Sequence, residues 1–354
     1  QTAADVTVTA KTDASIDAGT TLSASVTLTG PVPGSTVKLS SPQEITEAIV
    51  DAPGAAVYVF SGGNANLDLG DNGSPIGSAG ITAFGDLEGE VFASGNVEAY
   101  AAGNIRSFEI VTTEADSVVS VVGTDVDAMV YAGGAVSVTS FSSIAGTYES
   151  GRHAGSLNKS ASLNAKGTID ASVKTYGSGD INIATTRTVA GSVDAGGDAV
   201  VFGHEGVSAS VTAGGDAGVS TTQLVGGMGG TVSGPVTAGG SASVFSSGSI
   251  TGMVSAGDDA IVTAIGDITG GIATTNGDIT ATSFGTVSGG VVAGRSAAVT
   301  ALGVSGTIQG TNGSVSVFSK TAIGSSVTIA AGIDASVESP EDIEASITAG
   351  GSAS

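Results

Sequence analysis

Ala195-Gly196-Gly197-Asp198, Ala213-Gly214-Gly215-Asp216, Ala238-Gly239-Gly240-Ser241, Ala256-Gly257-Asp258-Asp259, Thr275-Asn276-Gly277-Asp278, Ala293-Gly294-Arg295-Ser296 and Thr311-Asn312-Gly313-Ser314 are seven versions of one turn, and their spacing decides the fold. Successive copies start 18, 25, 18, 19, 18 and 18 residues apart. A period this short is too small for a propeller blade or a pair of helices, but it holds two or three short strands joined by Gly/Asp/Ser turns. The one long step carries extra residues around Gln223–Gly230, as a loop bulging from a corner would.

Working outward from the turn, apolar residues alternate with polar ones, as in Val315 and Val317 or Ala297 and Val299, which is the period of a half-buried strand. A second segment follows at a constant offset and reads Val/Ile-x-Gly/Ala-x-Val/Ile. Examples are Ile169-Asp170-Ala171-Ser172-Val173, Ile268-Thr269-Gly270-Gly271-Ile272 and Val287-Ser288-Gly289-Gly290-Val291. The register runs back to Leu87-Glu88-Gly89-Glu90-Val91 and Ile45-Thr46-Glu47-Ala48-Ile49, and Ser41-Pro42-Gln43-Glu44-Ile45 is echoed by Ser339-Pro340-Glu341-Asp342-Ile343. Stacked coils satisfy all of this: an all-β, single-stranded parallel β-helix (solenoid) of about 16 to 18 rungs of roughly 18 residues, each coil pairing with the next at ~4.8 Å. The small central residue of the second segment is expected to let the opposing sheets approach across a thin interior. A left-handed solenoid would place an aliphatic every six residues. The spacing of two, about six and four found along each rung favours the right-handed form. Residues 1–32 are expected to form an N-terminal cap or first irregular rungs, and 33–354 a continuous solenoid with corner loops near 148–156 and 223–231.

This rung pattern resembles that of right-handed β-helix repeat proteins of bacterial surfaces, filamentous-haemagglutinin-like and giant cell-surface repeat proteins, and is also similar to the polymer-forming bactofilins. The resemblance covers nearly all of residues 33–354. It is a periodicity, so it carries over no catalytic residue; what it implies is an elongated surface, adhesive or filament-forming protein.

Composition agrees. Nine Phe, five Tyr and no Trp among 354 residues leave Val, Ile, Ala and the 57 Gly to fill the interior, which must then be narrow. Ten Lys+Arg against 33 Asp+Glu give a net charge of −23, which repels nucleic-acid phosphate and anionic lipid and excludes nucleic acid as a partner. A hydrophobic content of 40% supplies enough apolar surface for folding. No Cys is available for disulfides or thiolate metal sites, and no apolar run reaches the length of a membrane span. The chain begins at Gln1, as a processed or excised segment would, and a secreted, extracellular or cell-surface location is expected.

The chemistry-bearing candidates are few. An acidic ladder runs through the turns, with Asn96, Asp116, Asp180, Asp198, Asp216, Asp259, Asp278 and Asp334 joined by Ser160, Ser241, Ser296 and Ser314. Two roles fit it. Asp198, Asp216, Asp259 and Asp278 could line a row of Ca²⁺ sites, since hard cations take several oxygens. Alternatively, each Asp or Ser caps its turn by accepting a backbone N–H in an Asx-type turn. Gly62–Gly73 faintly resembles a calcium-binding nonapeptide, but does not repeat. No other cofactor is indicated. Enzymatic β-helices need clustered carboxylates beside a base or cation and aromatic platforms for sugars. Here Arg106, Arg152, Arg187 and Arg295 are the only arginines, and His153 and His204 lack a paired nucleophile. The chain is therefore read as a non-enzyme. The outward positions mix Ser, Thr and aliphatics without a regular threonine array. Val118, Val200 and Ile261 are expected outside, while Phe202, Phe245 and Phe318 share an offset that either turns them inward at a corner or forms a packing stripe. Together with a last segment, Ala349–Ser354, that begins another rung, these residues point to self-association, end-to-end or lateral. The expected function is that of a structural stalk, sheath, fibre or lateral array. The alternatives are an adhesin binding a surface ligand through its corner loops near Tyr148–His153 and Gln223–Gly230, and a polysaccharide-active enzyme.

Overall fold

The computed structural model describes residues 4–152, 158–222 and 229–354. It is an all-β parallel solenoid of about 18 turns, about 19 residues apart, with no helix among the described residues. The middle of each expected corner loop, residues 153–157 with His153 and residues 223–228, lies outside the described residues. The chain divides into two compact units, Gln1–Asn182 and Ile183–Ser354.

In the second unit, one ladder is made of the strands that follow the repeated turn, from Ala199–Gly203 through Ala242–Ser246 and Ala297–Ala301 to Ala335–Glu338. Its parallel register runs Ala199↔Ala217↔Ala242↔Ala260↔Ile279↔Ala297↔Val315. These steps reproduce the spacing of the turns, long step included, so the extra residues leave the pairing undisturbed. The other ladder carries the second segment of each rung, with Val211↔Val236↔Val254↔Ile272↔Val291↔Ile308↔Ile329 as its inward column. Inward residues are almost all Ala, Val and Ile and almost fully buried. Each hides little area, but the contact repeats at every coil, so stability accumulates between neighbours.

The first unit has the same two ladders. Parallel pairing begins early, at Ala4–Ala10 against Leu22–Leu28, residue for residue. Its interior holds two large rings that a narrow core would not be expected to admit. A bulge between Ile105 and Phe108, with Ser107 at a φ of 47°, turns Phe108 inward, where it is fully buried against Gly89 of the adjoining coil. Tyr148, expected from the sequence to belong to the corner loop near 148–156, lies instead inside the strand Ile144–Ser150 and is also fully buried. Its hydroxyl donates to the Ala145 carbonyl at 2.6 Å, and burial raises its pKa above the ordinary tyrosine value.

The small residue in the middle of the second segment has a different cause from the one expected. A Cβ added at Gly270 would land on the carbonyl oxygen of Gly252, one coil back, and one added at Gly252 would land on that of Gly234. The constraint is close approach of successive coils along the stack, not of opposing sheets across it. Gly290, one residue beyond the equivalent position, has open space around its Cβ. Gly252→Val should therefore lower stability by more than ~2 kcal/mol, while Gly290→Ala should be neutral or slightly stabilising, as thermal unfolding followed by circular dichroism will show.

Candidate functional site

The acidic turns form an inter-coil hydrogen-bond ladder. Asp198 Oδ1 accepts the backbone N–H of Asp216 at 2.8 Å, and Asp216 Oδ1 accepts that of Ser241 at 2.7 Å. Asp259 Oδ1 accepts from Asp278 at 2.8 Å and Asp278 Oδ1 from Ser296 at 2.9 Å; Ser296 Oγ, Ser314 Oγ and Asp334 Oδ1 continue to Ser314, Asp334 and Ser352. The accepted N–H always belongs to the corresponding residue of the next coil, so these are not the local Asx-type turns expected from the sequence. At some of these rungs a glycine of the turn makes room for the acceptor. A Cβ at Gly215 or Gly240 would occupy the place of the Asp198 or Asp216 carboxylate oxygen. Asn96 obeys the same rule by accepting from Val118 at 2.8 Å, whereas Asp116 is drawn off to Lys159 Nζ at 2.6 Å, which lowers its pKa through a charged hydrogen bond.

A second ladder of the same kind stands at the opposite corner and was missed in the sequence. Asn64, Asp86, Asn104 and Asp125 accept in turn from Asp86, Asn104, Asp125 and Ser143 in the first unit, and Ser249 and Asp267 from Asp267 and Thr286 in the second. Gly85-Asp86-Leu87, Gly103-Asn104-Ile105 and Gly266-Asp267-Ile268 were its signal. Asp267 takes both the N–H of Thr286, at 2.7 Å, and its hydroxyl, at 3.0 Å, and these hold its pKa below the ordinary aspartate value. Buried serines close the same corners locally: Ser283 Oγ accepts the N–H of Gly285 and donates to the Gly266 carbonyl. No buried side-chain polar atom among the described residues lacks a partner.

Of the four residues considered for calcium, Asp198, Asp216 and Asp259 border one shallow surface depression, and Asp259 and Asp278 are bridged by a guanidinium. Arg295 Nη2 stands 3.5 Å from Asp259 Oδ1 and 3.1 Å from Asp278 Oδ2, one cation serving two coils. Asp198, Asp216, Asp259 and Asp278 each have one carboxylate oxygen committed to an N–H or shared with Arg295, and no three His, Cys, Asp or Glu side chains converge as metal ligands among the described residues. That set falls short of the six to eight oxygens Ca²⁺ takes. Asp216→Ala should cost about 1 kcal/mol of stability, while Asp216→Asn, which keeps the acceptor, should cost much less. The melting temperature of the unaltered chain should be the same in chelator and in millimolar calcium, as scanning calorimetry can check.

Carboxylates also stack elsewhere. On the second-segment ladder of the first unit, Asp68, Glu90 and Glu109 occupy one outward column on three successive strands. Partial burial, then repulsion from Asp68 and Glu109, raises the Glu90 pKa above the ordinary value of 4.5. A raised carboxyl favours the protonated form in the fold, so its contribution to stability is full below about pH 4.5 and is lost as pH rises through the folded value. Glu90→Gln should raise the melting temperature slightly at pH 7. The gain should vanish near pH 4 and shrink in high salt.

The outer surfaces of the two units differ in charge. Among the described residues, no strand from Ala199–Gly203 to Thr328–Ala331 contains Asp, Glu, Lys or Arg. On the turn-following ladder of the second unit the outward columns are Val200, Gly218, Ser243, Ile261, Thr280, Ala298 and Ser316, and Phe202, Ser220, Phe245, Thr263, Thr282, Thr300 and Phe318. The register thus brings Thr263, Thr282 and Thr300 into a short threonine column that was not seen in the sequence. Val200 and Ile261 are more than half exposed and Phe245 points outward, while Phe202 and Phe318 are half-buried. Ile265, Phe284 and Leu302 add an exposed apolar stripe at three successive corners, with Phe284 at 66% exposure. His204 is engaged through Nδ1 by the Thr222 hydroxyl.

No family model matches the chain, and no curated protein or solved structure matches it either. No helix among the described residues is long and apolar enough to cross a membrane.

Proposed function

We propose that the chain is a structural component of an extracellular or cell-surface assembly, a β-solenoid element of a stalk, sheath, fibre or array that associates laterally with copies of itself. The observation that carries this reading is the separation of charge from surface in the second unit. A chain of net charge −23 repels its own copies wherever acidic residues face outward. From the strand Ala199–Gly203 to Thr328–Ala331 the outer strand positions of the second unit carry none, and this stretch exposes Val200, Phe245, Ile261, Ile265, Phe284 and Leu302 instead. Exposed apolar residues repeated along uncharged parallel strands suit contact with a second surface of the same kind. The periodic resemblance to bacterial surface repeat proteins supports the same reading. The proposed role is structural rather than catalytic.

Association should strengthen with salt, because screening weakens repulsion between acidic corners and leaves apolar contact intact. Sedimentation at rising concentration in 0.5 M salt should show oligomers, and electron micrographs should show laterally paired or bundled particles. Ile261→Asp combined with Phe284→Asp should abolish both while circular dichroism stays unchanged. Particles that remain single at high concentration and high salt would refute the proposal.

A further inference from the structure

The first unit carries an aromatic trough on its turn-following ladder. The strands Thr36–Ser41, Ala56–Ser61, Ser78–Ala83, Val97–Ala101 and Val118–Gly123 are parallel neighbours in that order. Their register sets Gly80 between Tyr58 and Glu98, and Thr82 between Phe60 and Tyr100. The small outward residues of the middle strand form a floor, and the large ones on either side form walls. The result is an open trough of about 590 Å³ along the middle strand, within the range of ligand sites. Gly80 is needed for this shape, since a Cβ there would press on the Tyr58 ring at 3.2 Å. Phe84 stands just beyond the strand and holds the Phe60 ring edge-on, with centroids 5.8 Å apart.

Tyr58, Phe60, Phe84 and Tyr100 are each 40% exposed or more, in a protein that has only nine Phe and five Tyr. Lateral packing between solenoids does not call for a concave floor, and the trough walls include Glu98 and Lys38, which a packing face would exclude. The polar groups within reach are Lys38, Ser40, Thr82, Glu98, Ser120 and the tyrosine hydroxyls.

We propose that this trough binds a neutral oligosaccharide, lying along the Ser78–Ala83 strand with its apolar faces against Tyr58 and Tyr100. Aromatic rings offer a flat apolar face beside a polar tip, which suits the CH-lined face and hydroxyl rim of a pyranose. The floor strand has its backbone groups engaged by neighbours on both sides. An extended peptide would therefore find no main-chain partner, whereas a saccharide needs only side-chain hydroxyls, an ammonium and a carboxylate. Charge selects further: one Lys balanced by one Glu, on a chain of net charge −23, disfavours a polyanionic glycan. The site lies wholly in the first unit and does not depend on lateral assembly.

The full chain can be titrated with cellohexaose, xylohexaose and mannohexaose, with hexagalacturonate and decaproline as competing classes. Tyrosine fluorescence, undisturbed because there is no Trp, and calorimetry report binding. At least one neutral hexasaccharide should bind, and Tyr58→Ala and Tyr100→Ala should each weaken it about tenfold or more. Thr82→Arg, which leaves the rings in place and fills the trough, should do the same, while Phe284→Ala in the second unit should leave binding unchanged. Binding of none of the neutral probes at millimolar concentration, preference for hexagalacturonate or decaproline, or indifference to the three trough variants would each overturn the proposal.

Discussion

One hydrogen bond underlies the regularity of both units: the side-chain oxygen of an Asp, Asn or Ser at a corner accepts the backbone N–H of the corresponding residue one coil on. Strand ladders alone would leave the corners free to slip, because backbone pairing is indifferent to which residue pairs with which. The corner bond is not indifferent. It needs an acceptor in one coil and an N–H at the corresponding place in the next, and where the acceptor oxygen lies against the residue before the donor, as Asp216 does at Gly240 and Asp198 at Gly215, that residue has no Cβ. Register is thus written at the corners, where it can survive the seven extra residues between Ala217 and Ala242 as well as the usual step.

This explains which parts of the structure were legible in the sequence. The turn signature and the strand alternation are both local, so the fold, the repeat and even the irregular step could be read directly. What the signature does could not be read, since the partner of Asp198 lies a full coil away and an Asx-turn would have looked the same in sequence. The second corner ladder was harder to see because its signal is two residues, Gly-Asx before Leu or Ile, with uneven steps from Asn64 to Asp86 to Asn104. The trough was least visible. Tyr58, Gly80 and Glu98 are unremarkable singly, and only the register makes one the wall, one the floor and one the opposite wall.

The interior shows the same division. Alternation foretold which residues face inward, but not that a bulge beside Ser107 would admit Phe108, or that Tyr148 would be buried with its hydroxyl satisfied by Ala145. Both depart from the rule that small aliphatics fill the core. In both cases a local device, a bulge or a nearby carbonyl, offsets the departure.

The two units share a scaffold and put different chemistry on it. A solenoid fixes its inward positions by packing and its corners by the hydrogen-bond ladder, and leaves the outward strand positions free. In the second unit, from the strand Ala199–Gly203 to Thr328–Ala331, these positions carry no charge, and the proposed lateral contact would lie there. In the first unit the free positions hold carboxylates in register on one ladder and the aromatic trough on the other. Repulsion along the Asp68, Glu90 and Glu109 column opposes close lateral packing on that ladder. Under the proposed function charge, not fold, divides the labour: the neutral outer strands of the second unit are the packing surface, and the trough of the first unit is the ligand surface.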